Sequence, residues 1–391
     1  MAALRLILSG MGIASLLAII IIFGPLPHWI DARSNTVVNI KEGSKTTSAQ
    51  RLHHSLVIAD LHADSLLWRR DFADANSIGH TDLPRMEAGN VALQMLTTVT
   101  QSPAGQNYQR NSANALDRIT LLGIAQGWPA ETHGSRFARA AFQARKLHET
   151  VRQTERLQLI THQTELDTLL KQRAMGQDVT GVLLGTEGSH ALDGDIDNVD
   201  RLYALGFRMM SLQHFFDNRL GGSLHGESQS GLTEFGAAVV RRMNALGIMI
   251  DVSHSSEAVV RDVVAISEGP LMISHTGFQG HCNSPRNISD ATMERVTKAG
   301  GLIGVGYWEG AICDATIANI AGALRYGIDR FGLDAIALGS DWDGSVHTPI
   351  DASGLPQLTE ALLNQGFSEA EIRAVMGENA VNFFRAQLPR S

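Results

Sequence analysis

One unit recurs from Leu52 to near the C-terminus: a short apolar run, a polar or glycine-marked end, then a stretch of helical periodicity. The runs cover 56–61, 91–99, 182–185, 208–212, 248–252, 271–273, 302–306 and 335–339. They are rich in Val, Ile, Leu and Met with little alternation, the pattern of strands buried on both faces. The clearest intervening helix opens at Thr233-Glu234, spaces Phe235, Val239, Val240, Met243 and Leu246 along one face, and closes at Gly247. Eight such units predict an α/β protein with a (β/α)₈ TIM barrel. A doubly wound open sheet is the alternative, and no G-x-G-x-x-G follows the first run to support it. The segment 102–177 is too long for one crossover and predicts two or three helices.

The ends of these runs carry the chemistry. They read Asp60-Leu61-His62-Ala63-Asp64, Thr186-Glu187-Gly188, Gln213-His214, Ser253-His254, Ser274-His275 and Ser340-Asp341-Trp342-Asp343-Gly344. In a barrel the carboxyl ends of all eight strands converge on one mouth. Side chains two apart on a strand share a face, so His62 and Asp64 can aim into that mouth together. Imidazole and carboxylate are the ligands expected for zinc with an open coordination position. A lone histidine at a strand end is commonly structural, but six of eight ends bearing His, Glu or Asp point to metal chemistry. His190, His225 and His281 fall near enough to border the mouth. His53, His54, His80, His133, His148 and His162 fall away from it and read as surface or packing residues. No lysine occurs between Lys171 and Lys298, which excludes a modified lysine bridging two metals. Glu187 is the acidic residue left to bridge.

The net charge of -8 offers no basic surface for nucleic acid. Two cysteines, Cys282 and Cys313, allow at most one disulfide, and such sparse usage favours two unpaired thiols. Arg5 precedes an uncharged stretch from Leu6 to Phe23, at the lower edge of the length that spans a bilayer. Without a clean small-x-small cleavage site after the isoleucines, it reads as an uncleaved signal anchor. The expected organisation is an anchor or transmembrane helix at 1–30, a polar tether at 31–50 and a metallohydrolase barrel at 51–391, exported to the periplasm or cell exterior.

The blocks Asp60 to Asp64, Gly185-Thr186-Glu187-Gly188-Ser189-His190, Gly231 to His254, Ile273-Ser274-His275, Arg286-Asn287 and Gly339 to Gly344 resemble the membrane dipeptidase (renal dipeptidase) family, peptidase family M19. The similarity runs from about Leu52 to about Phe384. It implies a metallo-dependent hydrolase barrel holding two zinc ions, bridged by Glu187 and a water or hydroxide. His62, Asp64 and Glu187 would hold one ion, and Glu187, His254 and His275 the other. It further implies that His214 contacts substrate, that Arg286 binds its free carboxylate and that Asp341 is the acid/base. The implied reaction is hydrolysis of dipeptides with a free C-terminus, including D-residues there, and the implied assembly admits a homodimer. Asp343 is a second acidic candidate beside Asp341 that spacing alone does not separate. Two departures stand out: Gly306-Tyr307-Trp308 differs from animal members, and Asn382 replaces a commoner arginine near Gly377-Glu378-Asn379. The remaining readings are another two-metal barrel hydrolase acting on a lactone or cyclic amide, and an inactive anchored binding protein.

Overall fold

The computed structural model describes residues 20–38 and 46–390. Eight parallel strands form its centre: β1 Ile58–Ala63, β2 Val91–Val99, β3 Thr180–Glu187, β4 Phe207–Ser211, β5 Met249–Asp251, β6 Met272–Thr276, β7 Leu302–Val305 and β8 Ile336–Leu338. Each pairs with the next, and Leu338 of β8 pairs with Asp60 of β1 to close the ring. The expected (β/α)₈ barrel is therefore the fold. Each apolar run became a strand, with ends displaced by up to a few residues because neighbouring strands set the register. The first run, 56–61, shifts to 58–63, which carries His62 into the strand itself.

The segment 102–177 holds the helices Arg118–Ala125, Arg136–Gln153 and Gln163–Ala174. It also holds an unforeseen strand, Leu157–Leu159, lying outside the ring along Thr180–Val182 of β3. The helix Glu234–Leu246 starts where its sequence implies: the Thr233 side chain accepts from Gly236 N–H, and Gly247 ends it at φ 68°.

The barrel interior below the mouth is apolar, filled by residues such as Leu61, Met95, Leu183, Met209 and Met272. The C-terminal helix Asn379–Gln387 seals that end with Phe384. Gly377 is needed there, since a Cβ would stand 1.9 Å from the Val57 carbonyl oxygen. Asn379 donates to the Leu333 and Ile336 carbonyls, both at 2.8 Å. Asn382 is exposed.

Two expectations need correction. Cys282 and Cys313 are joined in a disulfide. The bond links the loops after β6 and β7, neighbouring loops of the mouth that sit 31 residues apart in sequence, so counting cysteines did not foresee it. The second concerns residues 25–38. A helix, Pro25–Ser34, runs across the expected boundary between 30 and 31, and the strand Thr36–Val37 pairs with His347–Thr348. Asp31, read as tether, is buried and ion-paired with Arg70 at 2.8 Å. Asn35 donates to Asp31 and accepts from the Ser345 N–H. No helix among the described residues is long and apolar enough to cross a membrane. Most of the expected span, residues 1–19, lies outside the described residues.

Candidate metal centre

Five side chains from four strand ends converge at the mouth. Glu187 ends β3, and its Oε1 lies 3.6 Å from His62 Nε2, 3.3 Å from His254 Nε2 and 3.4 Å from His275 Nε2. Asp64 Oδ1 lies 3.6 Å from His62 Nε2. Two groups of three donors result, His62–Asp64–Glu187 and Glu187–His254–His275, with donor atoms within 4.8 Å of one another in each. Glu187 belongs to both. Gly188 lets the chain turn away after it at φ +90°, where a Cβ would stand 2.3 Å from the His190 ring.

A polar layer beneath orients these donors. Ser274 Oγ donates to Asp251 Oδ2 at 2.7 Å and stands 2.9 Å from both His62 Nδ1 and His275 Nδ1. Placed to accept from both Nδ1–H groups, it turns the two Nε2 atoms toward Glu187. Asp251 forms a third grouping with His62 and His275. Its oxygens already accept from Ser253 and Ser274, through both backbone N–H and hydroxyl, so its capacity is spent on orientation. Asp60 plays the same part for β1 and β8, accepting from Gln94, Ser340 and the His62 N–H. Thr97 of β2 donates to Asp64 at 2.6 Å.

The electrostatics call for a cation. Burial, then the nearby carboxylates Asp64 and Asp341, push Glu187 well above the usual carboxylate range. Burial and then Arg286 hold His254 well below the usual imidazole range, and burial with His62 does the same for His275. Their Nε2 atoms lie 2.9 Å apart. Two neutral imidazoles so placed beside a buried carboxyl that a cation would ionise fit a metal ion between them, and the donor set suits zinc. Burial disfavours the His62 cation, but Asp64, Asp341 and Asp251 together outweigh it and raise His62.

Asp64, Glu187 and His254 reach a cavity of about 490 Å³, whose lining also includes His214, Arg286, Trp308 and Asp341. His214 is held with Nδ1 3.2 Å from the Gln101 carbonyl, and burial lowers it to about 4. Arg286 is buried. Its Nη2 donates to the His275 carbonyl at 3.1 Å, its Nη1 has no partner among the described residues, and Trp308 faces the guanidinium at 5.1 Å. Asp341 is pushed up to about 8 by burial, partly countered by His62.

Residues 46–389 match the membrane dipeptidase family, peptidase family M19. The chain belongs to that family. Mouse dipeptidase 3 is 29% identical over 355 residues, covering 83% of this chain and 66% of that protein. Human dipeptidase 3 is 29% identical over 336 residues, covering 78% and 64%. The chain thus spans about two thirds of the length of these relatives. Among solved structures, dipeptidase AC, an M19 metallopeptidase, superposes with a TM-score of 0.69 at 23% identity, covering 86% of this chain and 99% of that one. A metallopeptidase from Rhodobacter sphaeroides, bound to a phosphinate mimic of the dipeptide L-Ala-D-Ala, gives 0.68 at 22% identity, covering 85% and 99%. At such identity these two speak for the fold.

His62, Asp64, Glu187, His214, His254, His275, Arg286 and Asp341 come together at the one mouth. Asp343 does not face it. Asp343 is locked to Arg70 at 2.8 Å and accepts from Ser65, Thr81 and the His80 N–H. Of the bordering histidines, His225 packs within 5.5 Å of the His254 ring and His190 within 6.5 Å of His214, both beside the donors rather than among them. His281 sits near Tyr326, away from the cavity. Asp60, Asp251 and Thr97 went unassigned from sequence. The signal was there for the two aspartates: an acid within an apolar run buried on both faces must be paired.

Proposed function

We propose that the chain is a metal-dependent dipeptidase that hydrolyses dipeptides bearing a free C-terminal carboxylate. One observation carries this reading: two donor triads sharing Glu187 open, through Asp64, Glu187 and His254, onto the same cavity as a buried arginine whose Nη1 has no partner among the described residues. His62, Asp64 and Glu187 would hold one zinc ion, and Glu187, His254 and His275 a second. When bound, such a pair supplies an activated water at neutral pH and a Lewis acid for the scissile carbonyl.

The chain's own groups do the rest. Arg286, tethered through Nη2 and braced by Trp308, offers its free edge to the substrate carboxylate in a two-bond grip. Asp341 can take a proton from the attacking water and pass it to the leaving amine. His214 contacts substrate from the wall. With Nδ1–H donated to Gln101, its Nε2 accepts while the ring is neutral, and donates to a developing oxyanion only once protonated. Binding of an L-Ala-D-Ala mimic by the Rhodobacter sphaeroides neighbour supports C-terminal D-residues as substrates. The disulfide and the uncharged stretch Leu6 to Phe23 support an exported, membrane-anchored enzyme.

The test is kcat/KM for a dipeptide, its C-terminal amide and its one-residue extension, with metal content measured on the same protein. Two metals per chain are expected. The amide and the tripeptide should react about a hundredfold more slowly, because two charged hydrogen bonds at roughly 1.5 kcal/mol each are lost. Equal rates for dipeptide and amide would overturn the exopeptidase reading in favour of a lactone or cyclic amide substrate.

A further inference from the structure

The cavity above the metal donors does not end at the barrel. Its lining continues from Glu187 and Arg286 to Leu26 and Ile30 of the helix Pro25–Ser34. Positions four apart lie one turn apart on one face of a helix. Both side chains are half-buried and line the cavity. Ile30 packs with Leu122 against a cluster of Leu67, Trp68, Val99 and Ile119. The helix is held there by Asp31–Arg70, by Asn35 against Ser345, and by pairing of Thr36–Val37 with His347–Thr348.

The ring order says which end of a substrate meets this wall. Arg286 lies in the loop after β6, and β6 stands four places from β2 in a ring of eight. The loop after β2 carries the helix Arg118–Ala125, which packs against Pro25–Ser34. A carboxylate held by Arg286 therefore directs the other end of the substrate across the mouth, past the donors, toward Leu26, Ile30, Ile119 and Leu122. That outer wall is mostly apolar, with Ser34, Ser102 and Gln106 as its neutral polar members, and Arg118 at the rim disfavours a cationic side chain.

We propose that the helix Pro25–Ser34 is a wall of the substrate pocket and selects dipeptides whose N-terminal residue carries a large apolar side chain. This rests on the dipeptidase reading above. The segment ahead of the barrel is then a specificity element as well as a connection.

The experiment measures kcat/KM for phenylalanyl, leucyl, lysyl and glycyl dipeptides sharing one C-terminal residue, on the full chain. For wild type, the phenylalanyl and leucyl substrates should exceed the glycyl and lysyl ones by at least about tenfold, given what a few methylenes contribute in an apolar pocket. Leu26→Asp should cut the phenylalanyl-to-glycyl ratio by about tenfold or more, and Ile30→Trp, which fills the wall, should cut it likewise. Thermal unfolding checks that each variant folds, and Leu26→Ala and Ile30→Ala replace any that does not, with a smaller fall in the same ratio. A wild type indifferent to the N-terminal side chain, or a ratio that survives the substitutions, overturns the proposal while dipeptidase activity stands. No cleavage of any dipeptide by the metal-loaded wild type would instead overturn the dipeptidase reading, and this proposal with it.

Discussion

Asp341 and Asp343 leave one loop two residues apart, both buried, and meet opposite surroundings. On the cavity side, Asp341 faces other carboxylates and is pushed up to about 8 by burial, with His62 pulling the other way. Gly344 keeps that side open, since a Cβ there would stand 2.1 Å from the Asp341 carboxylate. On the far side, burial would raise Asp343 too, but Arg70, His80 and Ser65 outweigh it and hold it well below the usual carboxylate range. One carboxyl is left able to exchange a proton, and the other is committed to holding the loop. Arg70 also grips Asp31, so the same network that steadies the Asp341 loop fastens the N-terminal helix.

The sharpest way to break this comparison is to exchange an oxygen for an amide at each position. Asp341→Asn should lower kcat by about 10²–10⁴-fold while the melting temperature holds, because proton transfer fails in an unaltered shape. Asp343→Asn should do the reverse, costing roughly 3 kcal/mol of stability by leaving Arg70 short of its buried partner, with most turnover retained. Kinetics and chemical denaturation on both variants decide it. A stable, inactive Asp343→Asn protein would mean the two roles are exchanged.

Acid and base should act on the two carboxyls with opposite sign. Asp343 is depressed in the folded state, so its contribution is present above pH about 4, the unfolded value, and fades as pH falls below it. The stability gap between wild type and Asp343→Asn should therefore hold from pH 7 to about 5 and shrink in more acid solution. Asp341 is raised, so in chelator-treated protein its contribution is present below pH about 4 and is lost as pH rises toward 8. Denaturation of chelated wild type and Asp341→Asn from pH 5 to 8 reads this directly. A gap between them that does not change with pH would mean that Asp341 is not raised.

The smallest expected effect is at the outer end of the network. Asp31→Asn keeps an acceptor for Arg70 but removes the charge, and should cost about 1 kcal/mol. Limited proteolysis should then cut near residue 38 sooner than in wild type. An unchanged cleavage rate would show that the strand pairing of Thr36–Val37 holds the helix without the ion pair.

The donors were legible in the sequence because each stands at the end of an apolar run, and a parallel barrel gathers all such ends at one mouth whatever the loops do. His62, Asp64, Glu187, His254 and His275 need only the strand order to meet. The fold itself was legible for the same reason: eight runs with little alternation have few ways to be buried on both faces. Other features required contacts between residues remote along the chain. Asp343 is separated from Asp341 by Arg70, His80 and Thr81, more than 260 positions away, so nothing local distinguishes the two. The pairing of Cys282 with Cys313 depends on two adjacent loops approaching across the mouth. The stretch around Asp31 and Asn35 is polar enough to read as a solvated tether. Those same side chains become buried attachments only because Arg70 and the Ser345 N–H stand opposite them in the folded protein. Local pattern thus determined the barrel and its ring of candidate donors. Tertiary structure decided which aspartate is free, which loops are tied and what walls the pocket, because each depends on what a side chain meets rather than on what it is.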